Sequence, residues 1–97
     1  MNIELDGRKI SSERDLHIVL HQELFPEWDH YGRNFAALWD VLTTDVSRPV
    51  KLVWSNARES AEQMGTASFG AACAVLAKVA AHDFEKGSAD RFEFELR

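Results

Sequence analysis

Three short runs in this chain carry strand patterning, and helical periodicity fills both gaps between them. Met1 to Leu5 alternates, with Ile3 and Leu5 on one side and Asn2 and Glu4 on the other. VKLVW, Val50 to Trp54, places Val50, Leu52 and Trp54 on one face. The closing RFEFELR places Phe92, Phe94 and Leu96 inward and Glu93, Glu95 and Arg97 outward. Strands joined through helices cannot pair as tight hairpins, and a crossover between neighbours makes them parallel. A parallel strand covered on both sides reads as continuously apolar, whereas the last run alternates cleanly. The pattern predicts an α/β fold: a three-stranded parallel sheet with helices packed mainly on one face. It leaves the strand order open.

The helical segments have recognisable ends. Asp6-Gly7 signals a turn, and Ser12 to Asp15 has the S-x-x-D form of a capping box. Leu16, Val19, Leu20 and Leu24 follow at helical spacing, and Pro26 stops this helix. PEWDHYG forms a loop, after which Asn34 has the chemistry of an N-cap for a second helix reaching about Thr43. Phe35, Leu38 and Leu42 are its expected inner stripe. Beyond Arg48-Pro49 and the second strand, Ser55 or Asn56 is placed to cap a short helix ending near Met64-Gly65. A longer helix from about Ser68 carries Phe69, Ala72, Cys73, Leu76, Val79 and Ala80 as its buried stripe and ends at Gly87-Ser88.

Charge narrows the partners. Sixteen Asp and Glu against eleven Lys and Arg give a net charge of −5. That is the wrong sign for gripping a phosphate backbone, so no nucleic-acid partner is expected and a basic protein is favoured. MNIELDG has acids where a secretory signal needs a basic start, and no apolar stretch approaches bilayer-crossing length. The expected address is the cytoplasm, with no membrane partner. Lone Cys73 offers no intrachain disulfide and reads as an inert, small apolar residue. His17 and His21 stand at i, i+4, a spacing that permits two metal ligands, but no third ligand falls in register. They read as solvent-facing or half-buried, and no metal or other cofactor is expected. Asp29-His30 has no Ser or Cys nucleophile beside it, and there is no glycine-rich phosphate loop, so an enzyme is not expected.

The densest chemistry lies in HYGRNFAALWD, residues 30 to 40. On a helix capped by Asn34, positions 36, 39, 40 and 43 face away from the apolar stripe. Asp40 has no base to pair with on its own helix, since the positions three and four residues away hold Ala36, Ala37, Thr43 and Thr44. From Glu27 to Asp45 there are four acids and one base, Arg33, so the field over this surface is negative. An unpaired acid on a small-residue face suits an external Arg or Lys; a plainly solvated helix residue is the other reading. Trp39 either packs at the rim of the helix layer or contacts a partner. Trp28 is a lid on the first helix or a contact residue, and Trp54 reads as core.

The order of strand, DG turn, SERDLHIVLHQEL, FPEWDHYGRNFAALWDVLT and RPVKLVW resembles the barstar family of ribonuclease inhibitors, closely from Ile3 to Trp54 and loosely on to Leu96. The most specific part is Tyr31-Gly32-x-Asn34, then Ala37-Leu38-Trp39-Asp40, then Leu42-Thr43. The resemblance implies one barstar-like domain over residues 1–97, a cytoplasmic antitoxin or immunity protein. Such a protein binds a barnase-like, guanyl-preferring ribonuclease one to one, as a monomer, and plugs its active site with the segment 28–45. It further implies that Asp40 takes the place of an RNA phosphate. Tyr31 or His30 would approach the catalytic histidine region, Gly32 would permit close backbone approach, and Asn34 would start the inserted helix. Phe35, Ala36, Trp39, Thr43 and Asp45 complete the implied partner-binding set.

The chain departs from the family pattern in several places. Relatives often carry an acid where Ala36 stands, an aromatic near Thr44 and Asp45, and paired tyrosines where His30 precedes Tyr31. The long helix of the family can supply an acid to the partner, and the loose alignment brings Lys78 near that place, with Asp83 and Glu85 one to two turns later. Loss of the acid at Ala36 removes a charge-assisted contact of about 1.5–3 kcal/mol, which Asp45 can partly replace. Weaker binding to barnase than a close relative shows is therefore expected, and tighter binding to a different guanyl-preferring ribonuclease. The alternative reading is a non-inhibitory interaction module of the same fold that binds another basic protein.

Overall fold

The computed structural model describes residues 1–97. In chain order it contains β1 (Asn2–Asp6), α1 (Glu13–Leu24), α2 (Phe35–Thr44), β2 (Val50–Ser55), α3 (Ala57–Met64), α4 (Thr66–Glu85) and β3 (Phe92–Leu96), with a 3-10 turn at Gly7–Lys9. The strands form one parallel sheet in the order β1-β2-β3, parallel as the helical crossovers predict, and the structure supplies the order. Ile3, Leu52 and Phe94 lie side by side across it, as do Leu5, Trp54 and Leu96. Ile3, Leu5, Val50, Leu52 and Trp54 are buried beneath the helices, whereas Asn2, Glu4 and Lys51 on the other face are exposed. One face is therefore covered and the other is wet.

The final strand corrects one expectation. Phe92 is buried and Phe94 half-buried, but Leu96 is 44% exposed. β3 is an edge strand, and cover over its inner face thins towards its end, so alternation alone overstates how far the core reaches. On α2 the buried set is Leu38, Val41 and Leu42, while Phe35 is half-buried and tilted against the His17 ring, 5.3 Å between centroids. Positions 38, 41 and 42 form the buried arc of α2, and Phe35, in the first turn, lies at the margin of that arc. Phe69, Cys73 and Ala80 of α4 are likewise half-buried, and burial pushes the Cys73 thiol up.

Local chemistry explains the joints. Ser12 caps α1 by accepting from the Asp15 amide at 3.1 Å, and the Asp15 carboxylate accepts from the Ser11 amide at 3.0 Å. Gly65, at φ 86°, closes α3 and opens α4, which starts two residues before the expected Ser68. Asn56 precedes α3 in the left-handed region but does not cap it; its side chain donates to Asp6 at 3.2 Å instead. Beneath this joint Trp54 Nε1 donates to Ser60 Oγ at 3.0 Å, and Ser60 donates to the Gly7 carbonyl at 2.8 Å. A Cβ on Gly7 would stand 2.1 Å from the Asn56 carbonyl oxygen, so only glycine fits there.

Asp83 is the largest departure from the sequence reading. Its linear position sets it among the acids available to a partner, yet it is buried on the inner face of α4. Its carboxylate accepts from Arg48 Nε at 2.6 Å, from Arg48 Nη2 at 3.2 Å and from the Phe92 amide at 2.7 Å. The same guanidinium donates to the carbonyls of Val46 and Leu42, at 2.8 and 2.7 Å, satisfying the C-terminal end of α2. Burial raises the Asp83 carboxyl, but the Arg48 and Phe92 donors outweigh it and hold the group below the ordinary carboxylate value. One ion pair thus ties α2, α4 and β3 together.

Candidate functional site

Asn34 accepts from the Ala37 amide at 2.7 Å and donates to the Gly32 carbonyl at 3.2 Å, so one side chain fixes both the helix start and the loop before it. Arg33, between them, sits at φ 50°, an uncommon conformation for a residue with a side chain. Gly32 has a reason within the chain for lacking a Cβ: one placed there would lie 3.1 Å from Ala37 Cβ.

The loop is held from beneath by the two histidines of α1. His17 is 1% exposed, which corrects the solvent-facing or half-buried reading; His21 is half-buried. His17 Nε2 lies 3.1 Å from the Glu13 carboxylate and Nδ1 lies 2.6 Å from the Tyr31 hydroxyl. An ionised carboxylate only accepts, so Nε2 carries the proton, and in the neutral ring Nδ1 accepts from Tyr31. Burial, and then the Glu13 charge, push the Tyr31 hydroxyl far above its ordinary value, which keeps it a donor. His21 Nε2 donates to the Trp28 carbonyl at 2.8 Å and its ring stacks on Phe25, 5.1 Å between centroids. The Tyr31 and Trp28 rings meet Phe25 edge-on, at 5.0 and 6.0 Å. Tyr31 therefore turns its polar end inward, while His30 is exposed. Sequence reasoning missed this anchor, because the spacing of His17 and His21 along α1 does not specify which side chain crosses over them.

On the outer side of α2, Ala36, Asp40 and Thr44 are exposed and Trp39 and Thr43 are half-buried. The Asp40 carboxylate enters no hydrogen bond or ion pair; only its backbone carbonyl is used, accepting from the hydroxyls of Thr43 and Thr44. Asp45, also exposed, stands 2.7 Å from the Thr44 hydroxyl, whose single proton it shares with the Asp40 carbonyl, and is less free. Thr43 bonds to the Trp39 carbonyl at 2.7 Å, so its hydroxyl is likewise engaged.

An open groove of about 730 Å³ runs between α2 and α4, lined by Phe35, Ala36, Trp39 and Asp40 on one wall and Val75, Lys78, Ala81, His82 and Glu85 on the other. Trp39 meets the His82 ring edge-on, with centroids 5.7 Å apart. His82 Nδ1 stands 3.6 Å from Asp83 Oδ1, beyond hydrogen-bond reach, and is buried without a partner. The groove brings together Phe35, Ala36, Trp39 and Asp40 of the expected set; His30, Tyr31, Gly32 and Asn34 lie outside it, on the loop, and Thr43 and Asp45 lie further along α2. No group of three or more His, Cys, Asp or Glu is arranged to hold a metal ion, and no helix is long and apolar enough to cross a membrane.

An exposed, unpaired acid on a helix beside an open groove can take an external Arg or Lys, such as a basic protein would offer. Comparison with known proteins bears on which one. A profile of the family Barstar (barnase inhibitor) matches residues 1–96. Among curated proteins, the chain is similar to one from Bacillus subtilis (strain 168) named "Putative ribonuclease inhibitor YrdF", 47% identical over 55 residues. That alignment covers 56% of this chain and 58% of the relative, so the chain spans little more than half the length of that curated relative. The profile extends over the whole sheet and all four helices, and the chain belongs to the Barstar (barnase inhibitor) family.

Proposed function

We propose that this protein inhibits a barnase-like, guanyl-preferring ribonuclease by binding one to one across its active site. Residues 28–45 form the occluding surface, and the Asp40 carboxylate occupies the position of an RNA phosphate. The observation that carries this reading is the free Asp40 carboxylate, exposed on the outer face of a helix whose own bases are absent. Family membership supports ribonuclease as the class of basic partner. A ribonuclease must be positive where it holds RNA, so the negative field from Glu27, Asp29, Asp40 and Asp45 steers the two surfaces together.

The loop residues divide the work. Tyr31 bonds inward to His17 and so positions the loop, which leaves exposed His30 as the side chain that meets the ribonuclease centre. Asn34 and Gly32 set the entry of α2, and Phe35, Ala36, Trp39, Thr43 and Asp45 supply contact area around Asp40. The action is steric and electrostatic, proceeds as a monomer in the cytoplasm, and uses no cofactor.

Titrating a purified barnase-like ribonuclease with this protein tests the reading. Stoichiometric loss of RNA cleavage is expected, while binding without loss of cleavage would favour the non-inhibitory module. Asp40→Ala should weaken binding by about 2–5 kcal/mol with thermal stability unchanged; that general range was drawn in part from the barnase–barstar pair itself and is not independent of this family. Equal affinity of the variant would show that the carboxylate has been misassigned.

A further inference from the structure

We propose that Lys78 decides which ribonuclease this protein accepts, by calling for a carboxylate on the rim of the partner's cleft; the inference rests on the inhibitor reading above. Asp40 and Lys78 line the same groove from opposite walls, the acid on α2 and the base on α4. Both are exposed, and neither side chain enters an ion pair. Lys78 has no acid within reach on its own helix, since the positions three and four residues away hold Ala74, Val75, Ala81 and His82. Ala36 and Ala81 also line the groove and keep it open between the two charges. The groove therefore sets one unengaged base, Lys78, against unengaged acids, Asp40 across it and Glu85 two turns further along α4.

A partner that brings a cation to Asp40 brings its adjoining surface against Lys78. If that surface is also cationic, like charges are pressed together as water leaves, and affinity falls. If it carries a carboxylate, a second charge pair forms. Phe35, Trp39 and Val75 beside these groups lower the local dielectric and strengthen both effects. The groove selects a plus-and-minus pattern over a uniformly basic rim.

Barnase serves as the probe, together with barnase variants in which each Arg or Lys on the rim of the active-site cleft is changed in turn to Glu. Inhibition by the unmodified protein is compared with inhibition by Asp40→Ala, Lys78→Glu and Lys51→Glu. Lys51 is exposed on the open face of the sheet, so its reversal changes net charge equally without touching the groove. At least one charge-reversed barnase should be inhibited roughly tenfold more tightly than barnase, with the gain lost in Lys78→Glu and kept in Lys51→Glu. If barnase is inhibited and Asp40→Ala weakens that inhibition, yet no reversed variant gains, selection by Lys78 is overturned and the inhibitor reading stands. Selection by Lys78 is overturned in the same way if Lys51→Glu erases the gain as fully as Lys78→Glu. Absence of inhibition of barnase and of every variant would overturn both.

Discussion

Asp83 shows how much one residue can hold. A carboxylate on the apolar face of α4 is tolerable only because Arg48 and the Phe92 amide surround it, and Arg48 in turn satisfies the end of α2. Asp83→Asn should cost about 3 kcal/mol in denaturant unfolding, because it leaves the Arg48 guanidinium, 17% exposed, without its counter-charge. The pH dependence follows from the sign of the shift. The folded carboxyl lies below its unfolded value, so its stabilisation is fully present above the ordinary Asp value and is lost as pH falls through the lower, folded one. Unfolding measured from pH 6 downward should show a drop in stability below about pH 4 that is smaller in Asp83→Asn. An identical slope in both proteins would mean that other carboxylates govern acid unfolding. The arginine and the acid are 35 positions apart. The hint available from the sequence was an acid continuing the Leu76, Val79 stripe, a place where a charge needs a partner.

Among the elements, the segment from Phe25 to Asn34 has no regular structure, yet its conformation is set by α1 beneath it. Tyr31→Phe removes the hydroxyl that donates to His17 and strands a buried imidazole nitrogen. A loss of about 1–3 kcal/mol is expected in thermal or denaturant unfolding, with faster amide exchange over residues 28–33. No change in either would mean that packing against Phe25 alone holds the loop. The helices were legible because periodicity and caps agree: Ser12 and Asn34 cap as their side-chain chemistry predicts. Asn56 does not, because the chain enters α3 through a left-handed residue and the amide turns to Asp6. His17 and Tyr31 were legible as residue types and not as a pair. Spacing on α1 said nothing about what would cross over it 14 positions later.

For the whole molecule, the charges act as a field and the groove as a shape. With a net charge of −5 and its acids dense around α2, the protein should associate with a basic ribonuclease roughly tenfold more slowly at 0.5 M salt than at 10 mM, with dissociation changing much less. Stopped-flow association across that range provides the check, and a salt-independent rate would remove steering from the account. The proposed occluding surface draws on the loop and α2, while the groove's second wall, α4, comes from the other half of the chain. That is why Asp40 stood out in the linear sequence, through the bases missing around it, whereas the opposition of Lys78 did not.

Read alone, the sequence determined the parallel α/β class, the covered and wet faces of the sheet, the caps of α1 and α2, and the outward place of Asp40. These follow from periodicity and short-range chemistry, which act within a turn or two of backbone. The order of the strands, the pairing of Asp83 with Arg48, the inward turn of Tyr31, the exposure of Leu96 and the facing of Asp40 by Lys78 were decided only by tertiary structure. Each depends on which distant surface comes to lie against a residue, and no local pattern encodes that.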